Sequence, residues 1–170
     1  TLIPTGIVYV LLRDWLESAF ASPRLAAGML IVTGTLLFLT VLRPNPQGKM
    51  TPWKALAVGF AQAGAMIPGI SRSGATICTA IYQNVEREHA TNFSFLMLLP
   101  VVLGATVLKA FELAGTSPST GWTGLVLGTI AAWGSGIVAI RLVLRIVKRG
   151  NLPYFAYYCF AVGGLGLLLI

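Results

Sequence analysis

Residues 66–79 read MIPGISRSGATICT, a Pro-Gly break and a Ser-Arg-Ser tripeptide set inside an otherwise apolar region. An unpaired cation among apolar residues is costly, so what Arg72 pairs with decides both the fold and the chemistry. An apolar piece precedes the break at 55–67 and another follows it at 73–82. Each is shorter than the roughly 20 residues that a membrane crossing needs. The pair therefore reads as a re-entrant helix–turn–helix hairpin over about residues 55–82. Its tip, PGISRS, enters the bilayer from one side and returns to it, because irregular backbone at that depth survives only against protein or a wet cavity.

The rest of the chain fits such a surrounding. Of its 170 residues, 56% are hydrophobic and only 10% charged, against about 25% charged in a soluble domain. Mean hydropathy is +0.81. An all-α integral membrane protein follows, with residues 1–170 as a single membrane domain. Cys78 and Cys159 lie in apolar runs without metal or redox spacing and read as small buried hydrophobes. The formal charge of +7 is spread over short polar connections, which suits anionic lipid surfaces and the positive-inside effect better than nucleic acid, so no nucleic-acid partner is expected. The opening, TLIPTGIVYVLL, is already apolar and carries no cationic leader with a cleavage site, so a missing beginning is expected.

Uncharged or nearly uncharged spans are expected at 25–42, 93–108, 122–140 and 154–170, with a stretch at 2–12 too short to cross by itself. Polar connections are expected at 13–24, 43–49, 84–91 and 109–120. Trp53, Trp122, Tyr154, Tyr157 and Tyr158 fall near span ends, where amphipathic rings favour the interface. If the hairpin returns to its starting side, that side collects Arg43, Lys49, Lys54, Arg87, Arg141, Arg145, Lys148 and Arg149, against Arg13, Arg24 and Lys109 opposite. The positive-inside bias then favours the hairpin over a single crossing and places the C-terminus outside.

At the tip, Pro68-Gly69 ends the first half-helix, and Ser71 or Ser73 caps the second. A helix start with free N–H groups and a positive dipole end is an anion site. Arg72 adds a planar fork that suits phosphate oxygens, and the hydroxyls of Ser71, Ser73 and Thr76 add neutral donors. The alternative is that Arg72 pairs with a carboxylate or with carbonyls and only locks helices together. Gln62, six residues before Pro68, either positions substrate through a neutral amide or simply packs. His89 in EREHATN reads as solvated surface, Asp14 and Glu17 as interfacial charges, and Glu86 and Glu88 as part of a soluble connection. Glu112 is placed to pair with Lys109. Gly28, Gly34, Gly104, Gly128, Gly134 and Gly136 read as helix-packing positions.

PGISRSGAT at 68–76 closely resembles the signature of the undecaprenyl-diphosphate phosphatase family, the bacitracin-resistance type of bacterial membrane enzymes. Arg87, Ala90, FSFL at 93–96, Pro100, Gly104-Ala105, GFAQAG at 59–64 and NLPYFAYY at 151–158 extend the likeness over nearly the whole chain. The resemblance implies inverted repeats, each with a re-entrant hairpin, whose tips meet at a lipid-accessible pocket. It implies hydrolysis of undecaprenyl diphosphate to the monophosphate, recycling the carrier lipid for peptidoglycan synthesis in the bacterial inner membrane, with the site open to the outer side. Arg72 maps onto the phosphate-binding, catalytic arginine. The candidate substrate-binding set is Gln62, Gly69, Ser71, Arg72, Ser73, Gly74 and Thr76, with no metal ligand among them. A divalent cation, Mg or Ca, is expected only as a bridge on the diphosphate. Partners are the polyprenyl diphosphate and the lipid bilayer, and a homo-oligomer is compatible.

Two departures stand out. The family's other motif, two glutamates four apart followed by Pro-Val-Ser-Ser-Thr-Gly-His, is absent, and His89 is the sole histidine. That motif is taken to supply the nucleophilic serine and its acid/base partners, so the chain resembles the C-terminal two-thirds of such an enzyme. Cys159 stands where the resemblance leads one to expect an arginine. A transporter of the lipid monophosphate and an inert fragment are the alternative functions.

Overall fold

In the computed structural model, residues 2–114 and 121–169 are described, and among them all regular structure is helical. Among the described residues seven helices follow one another: α1 (Leu2–Phe20), α2 (Pro23–Leu39), α3 (Pro52–Gly64), α4 (Arg72–Tyr82), α5 (Arg87–Ala114), α6 (Gly121–Lys148) and α7 (Leu152–Leu169). A 3-10 turn, Thr40–Leu42, prolongs α2. Four helical stretches of the described residues are long and apolar enough to cross a membrane: Pro23–Leu42, Arg87–Phe111, Thr123–Lys148 and Leu152–Leu169. The protein is thus an all-α, multi-pass integral membrane protein.

Helices α3 and α4 have 13 and 11 residues. At about 1.5 Å per residue, neither reaches across a hydrocarbon core of about 30 Å. Both starts follow from local chemistry. Thr51 caps α3 with Pro52 in its first turn, and Ser71 caps α4 by accepting the Gly74 N–H at 3.2 Å. The two helices form a hairpin that begins and ends at the same end of the molecule. There the Gly48 N–H donates to the Asn84 carbonyl at 2.8 Å and the Glu86 N–H to the Gly48 carbonyl at 2.9 Å. Helix α4 is the most enclosed element: Gly74, Ala75, Thr76, Ile77, Cys78, Ala80 and Ile81 are all buried. Its small residues let α2, α3 and α5 approach closely, which is how helices associate where no water drives them together. Val58, Leu37, Met97, Val147 and Ala156 complete this core.

Several sequence expectations change. The polar connection at 13–24 is helix as far as Phe20, with a local irregularity at Leu12 (φ −116°, ψ 15°). An i,i+4 bond from Arg13 Nε to Glu17 Oε1 at 3.1 Å supports that continuation. The break comes at Ala21 and Ser22, where Ser22 caps α2 ahead of Pro23. The loop expected at 109–120 is helix through Ala114, in keeping with a run of good helix formers. The Glu112–Lys109 pair and the span-end position of Trp122 lie outside the described side chains. His89 is on the surface as expected, its Nδ1 2.9 Å from Glu86 Oε2.

The glycine expectation is corrected most sharply. Of the six packing positions named from sequence, only Gly34 is in close packing, where an added methyl would meet the Phe160 ring at 2.8 Å. A methyl on Gly28, Gly104, Gly128, Gly134 or Gly136 would meet nothing within 4 Å. The close approach is instead at Gly163 of α7, where a Cβ would lie 2.8 Å from Ile31 Cγ1 and 2.9 Å from the Ala27 carbonyl of α2. Gly163→Ala is expected to cost about 1–3 kcal/mol through overpacking. Gly128→Ala is expected to be neutral or stabilising by up to about 1 kcal/mol, since Ala is the better helix former. Thermal unfolding of the two variants in detergent checks the contrast.

Candidate functional site

The hairpin tip is held in place by one hydroxyl. Thr33 of α2, almost fully buried, donates to the Gly69 carbonyl at 3.0 Å and accepts from the Ser71 N–H at 3.0 Å. Gly69 itself has φ +92°, and a side chain there would run into the Ala26 carbonyl. Helix α2 begins at Pro23 and ends near the Gly48–Val85 end of the molecule. The tip therefore reaches far along α2, toward the end opposite the one where its hairpin starts.

Arg72 opens α4, half-buried. Its Nη2 donates to Gln62 Oε1 at 2.7 Å, and Gln62 Nε2 donates in turn to Thr5 Oγ1 at 2.9 Å. Gln62 is only 2% exposed, so the middle of this relay is shielded from solvent. The partner of the guanidinium is a neutral amide. Among the described residues no carboxylate lies within ion-pair distance of it. A cavity of about 390 Å³ opens on the same side, lined by Thr5, Tyr9, Arg13, Glu17, Gln62 and Arg72 with Leu16, Phe20, Ala65, Met66 and Val101. Its one carboxylate, Glu17, is bonded to Arg13. That bond, and then the carboxylate's charge, raise the pKa of Arg13, which stays a cation.

The sequence-predicted residues do not converge on one cavity. Ser71, Ser73 and Gly74 face a second one of about 290 Å³, otherwise mostly apolar, between α2, α6 and α7. Thr76 lines neither. Its hydroxyl bonds the Arg72 carbonyl at 2.9 Å and Ser94 Oγ at 2.7 Å, tying α4 to α5. Gly69 also lines neither and serves the turn. Two pairs share both a cavity and a bond, Gln62 with Arg72 in the first and Ser71 with Gly74 in the second. The open choice of cap is settled for Ser71, whose hydroxyl is occupied by Gly74. The amides of Arg72 and Ser73 have no partner among the described residues, so the helix start retains donors. Cys159 lines the second cavity rather than the one that holds Arg72.

The residues missed by sequence reading are those of α1. Thr5, Tyr9, Arg13 and Glu17 recur every fourth position and form one stripe along the Arg72 cavity. That period was legible in the sequence, but a helix ended at Leu12 splits the stripe in two. The donor set does not fit a resident divalent cation. Glu17 is the cavity's sole carboxylate, too few for a divalent cation, and among the described residues no three His, Cys, Asp or Glu side chains lie together.

Comparison with known proteins agrees with the motif. The model of the family described as "Bacitracin resistance protein BacA" matches residues 1–165. A protein of Salinibacter ruber named undecaprenyl-diphosphatase is 61% identical over 170 residues, covering 100% of this chain and 63% of that relative. One of Halothermothrix orenii with the same name is 39% identical, covering 99% of this chain and 66% of the relative. One of Methanothermobacter thermautotrophicus, also so named, is 38% identical over 95% of this chain and 92% of its own length. The chain thus spans a little under two thirds of the first two relatives. With a matching signature at the hairpin tip and a family match over nearly its whole length, the chain belongs to the bacitracin resistance protein BacA family.

Proposed function

We propose that this chain supplies the phosphate-binding part of an enzyme that hydrolyses undecaprenyl diphosphate to undecaprenyl phosphate and inorganic phosphate. One observation carries the reading: Arg72 sits at a half-helix start, with no acid partner among the described residues, beside a cavity walled by both polar and apolar side chains. A half-buried cation left without a carboxylate in an apolar region is the arrangement expected for a site that receives an anion.

Phosphoryl transfer depends mainly on positioning and on stabilising charge over the equatorial oxygens. Arg72 and the uncommitted amides of Arg72 and Ser73 supply that stabilisation at the terminal phosphate. Gln62 holds the guanidinium without neutralising it. In the intact enzyme, a serine of the motif absent from this chain attacks the terminal phosphorus as the anhydride bond breaks and the lipid monophosphate leaves. Water then hydrolyses the phosphoserine to free phosphate; alternatively, a serine-assisted water attacks directly and gives the same two products. A metal fits these residues only as a cation carried in on the diphosphate, and no step here is routed through one.

The hairpin is read as re-entrant, with its tip in the bilayer. Its return to the starting end, beside Arg43, Lys49 and Arg87, supports this, as does the 2.8 Å ion pair of Lys148 with Glu88. That basic end faces the cytoplasm by the positive-inside bias, and the Arg72 cavity opens toward the outer side of a bacterial inner membrane. Recycling the carrier lipid for the cell wall, and bacitracin resistance, follow from that activity.

Phosphate release from detergent-solubilised polyprenyl diphosphate, with the lipid monophosphate as second product, tests the reading. Transbilayer movement of the lipid without phosphate release would point to transport instead. Gln62→Glu sets a carboxylate against Arg72 and is expected to weaken diphosphate binding by roughly tenfold or more, since the acid competes with phosphate for the same fork. Titration calorimetry against wild type measures it.

A further inference from the structure

We propose that Arg13 is a second anion contact in the Arg72 cavity, and that it is the residue by which the site prefers a lipid diphosphate to a lipid monophosphate. This rests on the phosphatase reading above and adds a specificity residue to it. The stripe Thr5, Tyr9, Arg13 and Glu17 runs along one side of α1. Thr5 meets Gln62 at one end of the stripe, and Gln62 meets Arg72. Two cations therefore line one cavity from different helices, Arg72 at the hairpin tip and Arg13 two turns along α1 from Thr5.

A diphosphate presents two anionic groups in tandem, and a single guanidinium matches one of them. With the terminal phosphate on Arg72, the phosphate that bears the prenyl chain falls to Arg13. Leu16, Phe20, Met66 and Val101 then offer apolar contacts for the first isoprene units. Glu17 is no obstacle. The Arg13–Glu17 pair is well exposed, with side-chain exposures of 64% and 67%, and exposed i,i+4 pairs contribute little. Arg13 can exchange that carboxylate for a phosphate at small cost. The product monophosphate presents one group, which settles on Arg72, whose partner is a neutral amide. The more exposed Arg13 keeps its Glu17 partner, so the monophosphate engages one cation fewer and is released.

The test is calorimetric binding of farnesyl diphosphate and farnesyl monophosphate to the detergent-purified protein, with thermal unfolding to verify that each variant is folded. Arg13→Gln is expected to lower diphosphate affinity about tenfold, the loss of one bond to a charged group. Its monophosphate affinity should stay within about twofold, while Arg13→Lys recovers part of the preference because the charge remains. Arg72→Gln should weaken both ligands. If Arg13→Gln leaves the diphosphate-to-monophosphate ratio unchanged while Arg72→Gln weakens both, Arg13 is only a surface ion-pair partner. In that case this proposal falls and the phosphatase reading stands. If Arg72→Gln leaves both affinities intact, the reading of the cavity itself falls, and this inference with it.

Discussion

Under the phosphatase reading, Arg72→Ala in the whole enzyme is expected to lower phosphate release from polyprenyl diphosphate by about 10²–10³-fold, the usual loss when one preorganised transition-state donor is removed. Three features argue for an effect at this end of the scale. The guanidinium is fixed by Gln62, itself buried and tied to Thr5, so it needs little reorganisation during the reaction. It is not neutralised by an acid among the described residues, so its full charge is available to the developing negative charge. Leu16, Phe20, Ala65, Met66 and Val101 form an apolar part of its surroundings, which strengthens electrostatic contacts made there relative to water. Arg72→Lys should recover part of the loss, because an ammonium restores the charge but not the planar fork. Steady-state kinetics of both variants, with unfolding curves as a control, check this. Release at the wild-type rate by a folded Arg72→Ala protein would remove Arg72 from the reaction.

Gly69→Ala is expected to give the largest loss of stability of any single methyl addition in the hairpin, on the order of 3 kcal/mol. Two costs add. A φ of +92° is a backbone conformation that residues with a side chain rarely adopt, costing roughly 1–2 kcal/mol. The added methyl also points into the Ala26 carbonyl, so the tip must lift from α2. Lifting breaks the bonds that the Thr33 hydroxyl makes to the Gly69 carbonyl and the Ser71 N–H. Since Arg72 follows the tip directly, binding of the diphosphate should fall together with the melting temperature. Thr33→Val, which removes those two bonds without adding bulk, should show the same coupling in weaker form. A Gly69→Ala protein that melts like wild type would mean that the tip is not seated on α2.

Much of this protein was legible before any coordinates. Low charge and long apolar runs dictated a membrane-embedded helical bundle, because backbone groups away from water are satisfied only within helices. The Pro-Gly break, with a capping serine after it, determined a hairpin of two short helices, since local chemistry alone ends one helix and starts the next. The same nine residues marked the family. Side-chain convergence was another matter. Ser71, Arg72 and Ser73 are neighbours in the chain, yet successive side chains on a helix start diverge by about 100°. Only the packing of α1, α2 and α7 around the tip decided that Arg72 faces one cavity and the serines another. Tertiary packing likewise decided that Thr76 is spent on Ser94, that Gly163 rather than Gly128 is the close contact, and that Arg13 shares a cavity with Arg72. Propensity and hydropathy act along the chain, whereas a site is made by which faces meet across it, and that is settled by close packing between distant segments.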